Sequence, residues 1–156
     1  MDLTPRRIGP DDPALAAILD LIRGSFAYMD GRIDPPSSML ALSVETLSQT
    51  AAQAEIWSIG TPPVACVILT PKPDALYVGK LAVARRARGH GHARRLLDLA
   101  AERARILGHE TLELQTRVEL TENHATFAKL GFTEVGRTAH AGYDRPTSIT
   151  FRKSLA

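Results

Sequence analysis

The residues best suited to chemistry lie in the run Arg86-Ala87-Arg88-Gly89-His90-Gly91-His92. Its pattern, R-x-x-G-x-G, falls between an apolar segment expected to be a strand over 76–84 and a helix expected to start near His92. Glycines let backbone N–H groups turn toward a ligand with no Cβ in the way. The start of a helix adds a partial positive charge and unpaired donors. Together they make a nest for a pyrophosphate. The expected chemistry is binding of a phosphate-bearing cofactor, with Arg86, Arg88, Gly89, His90 and Gly91 in the loop and His92 and Ala93 opening the helix. Two familiar phosphate loops do not fit. A dinucleotide fingerprint needs a third glycine or small residue where Arg94 stands. A P-loop needs lysine after its second glycine, where His92 follows. The competing reading is a basic loop whose glycines only turn the chain and whose charges, His92 included, are solvated.

Elements able to position this loop are legible from periodicity and turn residues. A short strand is expected over 3–8. Asp12 can cap a helix with Pro13 at its first position, and Leu15, Ile18, Leu19 and Ile22 recur at helical spacing toward Tyr28. The run 30–38 is rich in turn formers. Ser43 caps a second helix to about Ala54, with Glu45 in its first turn. Strands follow near 55–59, 64–70 and 76–84. The helix after the glycine loop is apolar at Leu96, Leu97, Ala100, Ala104 and Leu107, and Gly108 ends it. An alternating strand over 111–118, a short helix over 121–130 and two strands near 132–140 and 147–153 complete a single α/β (α+β) domain over 1–156. A mixed sheet with helices on both faces fits this order.

The second block is informative in its own right. The short helix closes on Lys129-Leu130-Gly131-Phe132, where glycine suits a helix C-cap, and a strand begins at Phe132-Thr133-Glu134-Val135. The two blocks together resemble the GNAT N-acetyltransferase superfamily. Its acyl-CoA loop reads Q/R-x-x-G-x-G/A after a strand ending in an apolar run such as Leu81-Ala82-Val83. Its next block is a helix closing on a K-L-G-F-like step. The resemblance is specific over about 76–136 and topological elsewhere. It implies a mostly antiparallel sheet of about six to seven strands, acetyl-CoA as co-substrate, and transfer of an acetyl group to an amine. It also implies that backbone N–H groups at Leu81, Ala82 and Val83 hold the oxyanion.

The implied reaction sets clear demands. A lysine-like amine has a pKa near about 10.4, so at neutral pH its nucleophilic form costs about 4 kcal/mol. The site must take that proton directly or through water, and it must hold the developing oxyanion with a preorganised donor.

The chain departs from the family at the acid. Many GNAT enzymes place a tyrosine four residues before the glycine of the K-L-G-F-like step; Phe127 stands there, and Leu120 stands where an asparagine is common. Solvent can protonate a thiolate, and Tyr28 or Tyr143 are candidates to replace the acid. Phe127 is expected either to pack on the pantetheine arm or to be ordinary core. Glu113 is a candidate base if buried, against the plainer reading of a surface or salt-bridged carboxylate. His124 is expected to face solvent. The acceptor is expected between the loop after the first helix and the loop joining the last two strands. Tyr28, Asp30, Arg32 and Tyr143 would contact it there, and the plainer reading of these loops is ordinary turn chemistry.

Composition bounds the remaining classes. The chain has 156 residues, is 44% hydrophobic and 23% charged, and carries a net charge of +2. These values fit one globular domain and give no general drive toward nucleic acid. A nucleic-acid module would use Arg85, Arg86, Arg88, Arg94 and Arg95, but no aromatics interleave for base stacking. Cys66, the one cysteine, lies in an apolar run and reads as a core thiol. No Cys/His cluster has metal-ligand spacing. No apolar run reaches spanning length and the first residues do not read as a signal peptide, so a cytoplasmic protein with no membrane partner is expected. The partner expected is a small-molecule or peptide amine, and the resemblance leaves a homodimer open. A domain that binds acyl-CoA without turnover is the alternative function, favoured by Phe127 and Leu120.

Overall fold

Alternation and length place the strands, and long-range pairing decides their order. The computed structural model describes residues 2–29, 31–36 and 41–156. The elements are β1 (Arg6–Ile8), α1 (Leu15–Phe26), α2 (Val44–Gln53), β2 (Glu55–Ile59), β3 (Ala65–Pro71), β4 (Leu76–Val83), α3 (His92–Ile106), β5 (Thr111–Arg117), α4 (Thr121–Lys129), β6 (Thr133–Thr138) and β7 (Ser148–Ser154). They form a seven-stranded sheet in the order β1-β2-β3-β4-β5-β7-β6. Every neighbouring pair is antiparallel except β4 and β5. Five successive β3 residues from Ala65 to Leu69 are buried. Successive side chains point to opposite faces, so both faces of the sheet are covered. α1 packs on β3 and β4, and α3 on β3, β4 and β5.

Helix boundaries follow from caps. Ser43 opens α2 with a reciprocal capping box: its Oγ accepts the Thr46 N–H at 3.1 Å and the Thr46 Oγ1 accepts the Ser43 N–H at 2.9 Å. Such a cap contributes about 1 kcal/mol. α1 starts later than the Asp12-Pro13 pattern predicts. Asp12 Oδ1 accepts the Ala14 N–H at 2.9 Å while Oδ2 pairs with Arg6 at 2.7 Å. Asp12 therefore caps a turn ahead of the helix, and Ala14 is already helical at φ −71°. The helix also stops short of Tyr28, passing at Ala27 into a single 3-10 turn. β1 is shorter than the expected 3–8 strand.

α3 ends in a Schellman motif, with the His109 N–H bonded to the Ala104 carbonyl at 2.7 Å and the Gly108 N–H to that of Arg105 at 3.1 Å. Gly108 supplies the required positive φ of +85°. α4 repeats the device through Phe132 to Phe127 at 3.0 Å and Gly131 to Ala128 at 3.1 Å. The Phe127 and Phe132 rings meet edge-on with centroids 6.0 Å apart, which is the hydrophobic contact that accompanies this cap. The K-L-G-F step is thus a helix stop that also aims Phe127.

α3 is pinned to β2 by a buried ion pair. Glu55, 5% exposed, receives Arg103 Nε on Oε1 at 2.8 Å and NH2 on Oε2 at 2.7 Å. Trp57 Nε1 donates to the same Oε1 at 2.9 Å. Burial alone would raise this carboxyl; the hydrogen bonds from Arg103 and Trp57 and the guanidinium charge outweigh it and hold it below the usual range.

Candidate functional site

A parallel pair that stays parallel along its length would seal the centre of the sheet. β4 and β5 pair only at Leu76–Leu112 and Tyr77–Glu113. Beyond Tyr77, the β5-facing edge of β4 has no strand partner, and a cleft of about 960 Å³ opens between the two strands. Leu81, Ala82 and Val83 line it from β4, Gln115 and Arg117 from β5, and Phe127 from α4.

A bulge in β4 helps to shape this opening. Cys66 pairs with Ala82 and Ile68 with Gly79, so Lys80 and Leu81 together face Val67. Such an insertion bends a strand and re-aims its side chains. Lys80 sits there at φ +50°, the one non-glycine residue with positive φ among those described. An L-residue in that region stores about 1–2 kcal/mol. The Lys80 side chain is half-buried and lines the cleft. Burial, and then the nearby Arg117 charge, lower its ammonium pKa. Cys66 lies beneath, wholly buried, its Sγ 3.7 Å from the Lys80 carbonyl. Burial pushes the Cys66 thiol up to about 12, so it is an inert core group.

The glycine loop stands at the mouth of the cleft. Gly89 and Gly91 both adopt positive φ, +83° and +80°, and open space lies where a Cβ would stand on each. Gly91 is the N-cap of α3. The N–H groups of Gly91, His92, Ala93 and Arg94 have no intrahelical acceptor, and none bonds a described residue. They form a donor nest beside the exposed Arg86, Arg88, Gly89 and His90. Arg88 and Ala93 also line the cleft, and Arg88 Nε reaches back to the Val83 carbonyl at 3.4 Å. A phosphate fits this donor set and its open glycines. His92 corrects the solvated reading: it is 8% exposed, on the α3 stripe that continues through Leu96 and Ala100.

The acceptor side is built by loops that the chain brings together from far apart. Tyr143 donates to Asp34 Oδ1 at 2.6 Å, and Arg145 lies 3.5 Å from Oδ2. The Asp34 hydrogen bond, burial and the Asp34 charge all raise the Tyr143 pKa. Arg32 pairs with Glu122 at 2.8 Å. Arg117 donates to the carbonyls of Pro35 at 2.7 Å and Pro36 at 3.1 Å. The two loops expected to flank an acceptor therefore do meet. Arg32 and Tyr143 do not line the cleft, Arg32 lying against Glu122 of α4 and Tyr143 against Asp34, whereas Ile33, Pro35, Pro36 and His140 line it. Asp30 lies outside the described residues, and of Tyr28 only the backbone is described. Glu113 is buried and satisfied: Arg152 NH2 lies 2.7 Å from it and Lys72 Nζ 3.2 Å. This is the ion-paired arrangement, and Glu113 does not line the cleft. His124 is half-buried rather than solvent-facing; its Nε2 meets the Arg117 carbonyl at 2.9 Å and its ring lies 6.0 Å from Phe151. Phe127 is half-buried, and its ring also lies tilted against that of Phe151, with centroids 6.2 Å apart.

Two cleft residues carry no role in the sequence reading. Lys80 had one signal, a charge beside glycine inside an apolar strand. Arg117 gave only its position on a strand face.

The segment that carries the cleft and the glycine loop falls within a match to a known family. The model of the acetyltransferase (GNAT) family matches residues 17–132. The chain belongs to the GNAT acetyltransferase family. Solved GNAT-like structures share its fold over nearly the full length. An acetyltransferase from Streptococcus agalactiae superposes with a TM-score of 0.74 at 16% identity, covering 99% of each chain. The ribosomal-protein-S18-alanine N-acetyltransferase of Escherichia coli gives 0.71 at 19% identity, covering 98% of this chain and 94% of its own. A GNAT family acetyltransferase from Elizabethkingia anophelis with acetyl-CoA bound gives 0.68 at 16% identity, covering 99% of both. No curated protein sequence matches the chain. Among the described residues no helix is long and apolar enough to cross a membrane.

Proposed function

We propose that this GNAT domain is an N-acetyltransferase that moves the acetyl group of acetyl-CoA to an amine by direct attack on the thioester. The observation that carries the reading is the donor nest at Gly89–Ala93 set at the mouth of the β4–β5 opening. The nest, which includes the His92 N–H, takes the pyrophosphate, with Arg86, Arg88 and His90 beside it. The pantetheine arm then lies in the gap between the strands, where it takes the place of the missing β4–β5 ladder and packs on Phe127. Backbone N–H groups of Leu81, Ala82 and Val83 are the proposed oxyanion donors; Leu81 lies in the bulge, and Ala82 and Val83 follow it in register with Cys66 and Ala65 of β3. An acetyl-CoA-bound relative of the same fold supports the choice of co-substrate.

Phe127 has no proton to give, so the departing thiolate takes its proton from solvent, with Tyr28 and Tyr143 as the side-chain candidates to supply it. Tyr28, Asp30, Arg32 and Tyr143 belong to the loops that frame the acceptor. The alternative of an acyl-CoA-binding domain without turnover rests on the same Phe127 and on Leu120, which is 1% exposed and packed with Met29. Incubation with acetyl-CoA and a panel of amines, following free thiol, separates the two. Thiol release that needs the amine supports transfer. Acetyl-CoA binding with no release on any amine supports the sensor.

A further inference from the structure

On the acceptor side the cleft wall carries two cations, Lys80 and Arg117, and one carboxylate, Glu122, which is paired with Arg32. Lys80 reaches the wall from the β4 bulge and Arg117 from the end of β5. Arg117 is held by the Pro35 and Pro36 carbonyls, which are neutral, so its charge is not cancelled there. Lys80 meets no carboxylate among the described residues; the charge acting on it is the like charge of Arg117. Carboxylates nearby are already spent. Glu122 is paired with Arg32 at 2.8 Å, Asp34 with Tyr143 and Arg145, and Glu113 with Arg152 and Lys72. Glu119 lies under the 31–36 loop rather than on the cleft wall: its Oε2 accepts the Asp34 N–H at 3.1 Å and its Oε1 is buried without a partner.

Two uncancelled cations at a half-buried position are costly unless something anionic joins them. They also repel an ammonium ion, which favours the neutral, nucleophilic form of an amine held beside them. A polycationic acceptor would meet repulsion from Lys80 and Arg117, and the one carboxylate lining the cleft among the described residues, Glu122, is already engaged by Arg32.

We propose that the acceptor is an amine that also carries an anionic group, a carboxylate or a phosphate, and that Lys80 binds that group beside Arg117. This rests on the acetyl-transfer reading above. Lys80 presents a compact point charge that accepts either group, and the strained bulge holds it at the splayed edge of β4, next to the proposed oxyanion donors. The acid group docks on Lys80 and the amine lies toward Leu81.

Matched acceptor pairs test this. Alanine against ethylamine, 4-aminobutyrate against propylamine, and O-phosphoethanolamine against ethanolamine differ only in the anionic group. Each is assayed for kcat/KM by thiol release and titrated by calorimetry into protein saturated with CoA. The expected result is at least one pair in which the acidic member is preferred by ten-fold or more in kcat/KM or affinity. Which pair responds distinguishes carboxylate from phosphate. Lys80→Asn tolerates the left-handed backbone and removes the charge; it should erase the preference while acetyl-CoA affinity stays within about two-fold. Lys80→Arg should retain it. Equal or better use of the twins that lack the anionic group, or of polyamines such as spermidine, overturns the proposal, as does a preference that survives in Lys80→Asn, or acetyl-CoA binding with no member of any pair bound or acetylated. Failure of the wild type to bind acetyl-CoA overturns this proposal and the acetyl-transfer reading together.

Discussion

Gly91 and Gly108 sit at opposite ends of α3 with nearly the same backbone, φ +80° and +85°, and open space where a Cβ would stand. Alanine at either position must adopt the left-handed region, at about 1 kcal/mol. For a domain of this size that is a fall of about 2–4 °C in Tm. The two variants are therefore matched in strain and differ in what lies beside them. At Gly91 the new Cβ enters the space over the N–H groups proposed to hold a pyrophosphate. Displacing the phosphate from one charge-assisted hydrogen bond costs about 1.5–3 kcal/mol, or roughly ten- to hundred-fold in Kd. At Gly108 nothing of the site is near. Thermal melts and acetyl-CoA titrations on both variants decide the matter. Gly91→Ala should lose acetyl-CoA affinity ten-fold or more while Gly108→Ala loses only stability. If both melt lower by a similar amount and both bind like wild type, the glycine loop is merely a turn and the assignment fails.

The remaining expectations are narrower. Glu55→Gln should lower stability by about 3 kcal/mol at pH 7, because it leaves the Arg103 guanidinium partly buried and unpaired. The folded-state pKa of Glu55 is depressed, so this difference should be full above about pH 4.5 and shrink as pH falls through the lower folded value; urea titrations at several pH values would expose a pH-independent gap, which contradicts the pairing. Phe127→Leu should weaken acetyl-CoA binding by about 1 kcal/mol, roughly five-fold, with kcat at saturation changed less; a collapsed kcat at unchanged affinity would give Phe127 a different role. Once an acceptor is known, Tyr28→Ala, Arg32→Ala and Tyr143→Ala should raise its KM or lower kcat and leave acetyl-CoA affinity alone, and wild-type kinetics in all three would place the acceptor elsewhere. Cys66 should not react with a thiol reagent until the protein is unfolded, and rapid labelling of the native chain would refute its burial.

What could be read in advance was local. Ser43, Gly108 and Gly131 mark helix ends because caps are short-range events, and Leu96, Leu97, Ala100 and Ala104 mark one buried helix face. The same stripe reaches back four residues from Leu96 to His92, so the burial of His92 is legible in the helical spacing although its polar side chain argues for solvent. Asp12 is ambiguous because a carboxylate before proline suits both a helix cap and the turn that it makes with Ala14. The order of strands was not legible from neighbours in sequence. β7 inserts between β5 and β6, a choice set by pairing across the sheet. Nor was the opening of the site. The splay of β4 from β5 and the bulge at Lys80 depend on how β4 registers against β3, and Gly79-Lys80 is a faint trace of that in the chain itself. The pairing of Glu113 with Arg152, and of Tyr143 with Asp34, joins residues 39 and 109 positions apart.

The central claim is that acetyl-CoA gives up its acetyl group to an amine in this cleft. The most direct measurement combines the free-thiol assay with mass spectrometry of the acceptor, over a panel of amino acids, small amines and peptide N-termini. The buried Cys66 adds no background to the thiol signal. The account predicts CoA thiol released in step with one acetyl group gained on the amine, and both lost together in Gly91→Ala at limiting acetyl-CoA. Folded protein that binds acetyl-CoA yet releases no thiol above the amine-free blank with any acceptor would contradict it.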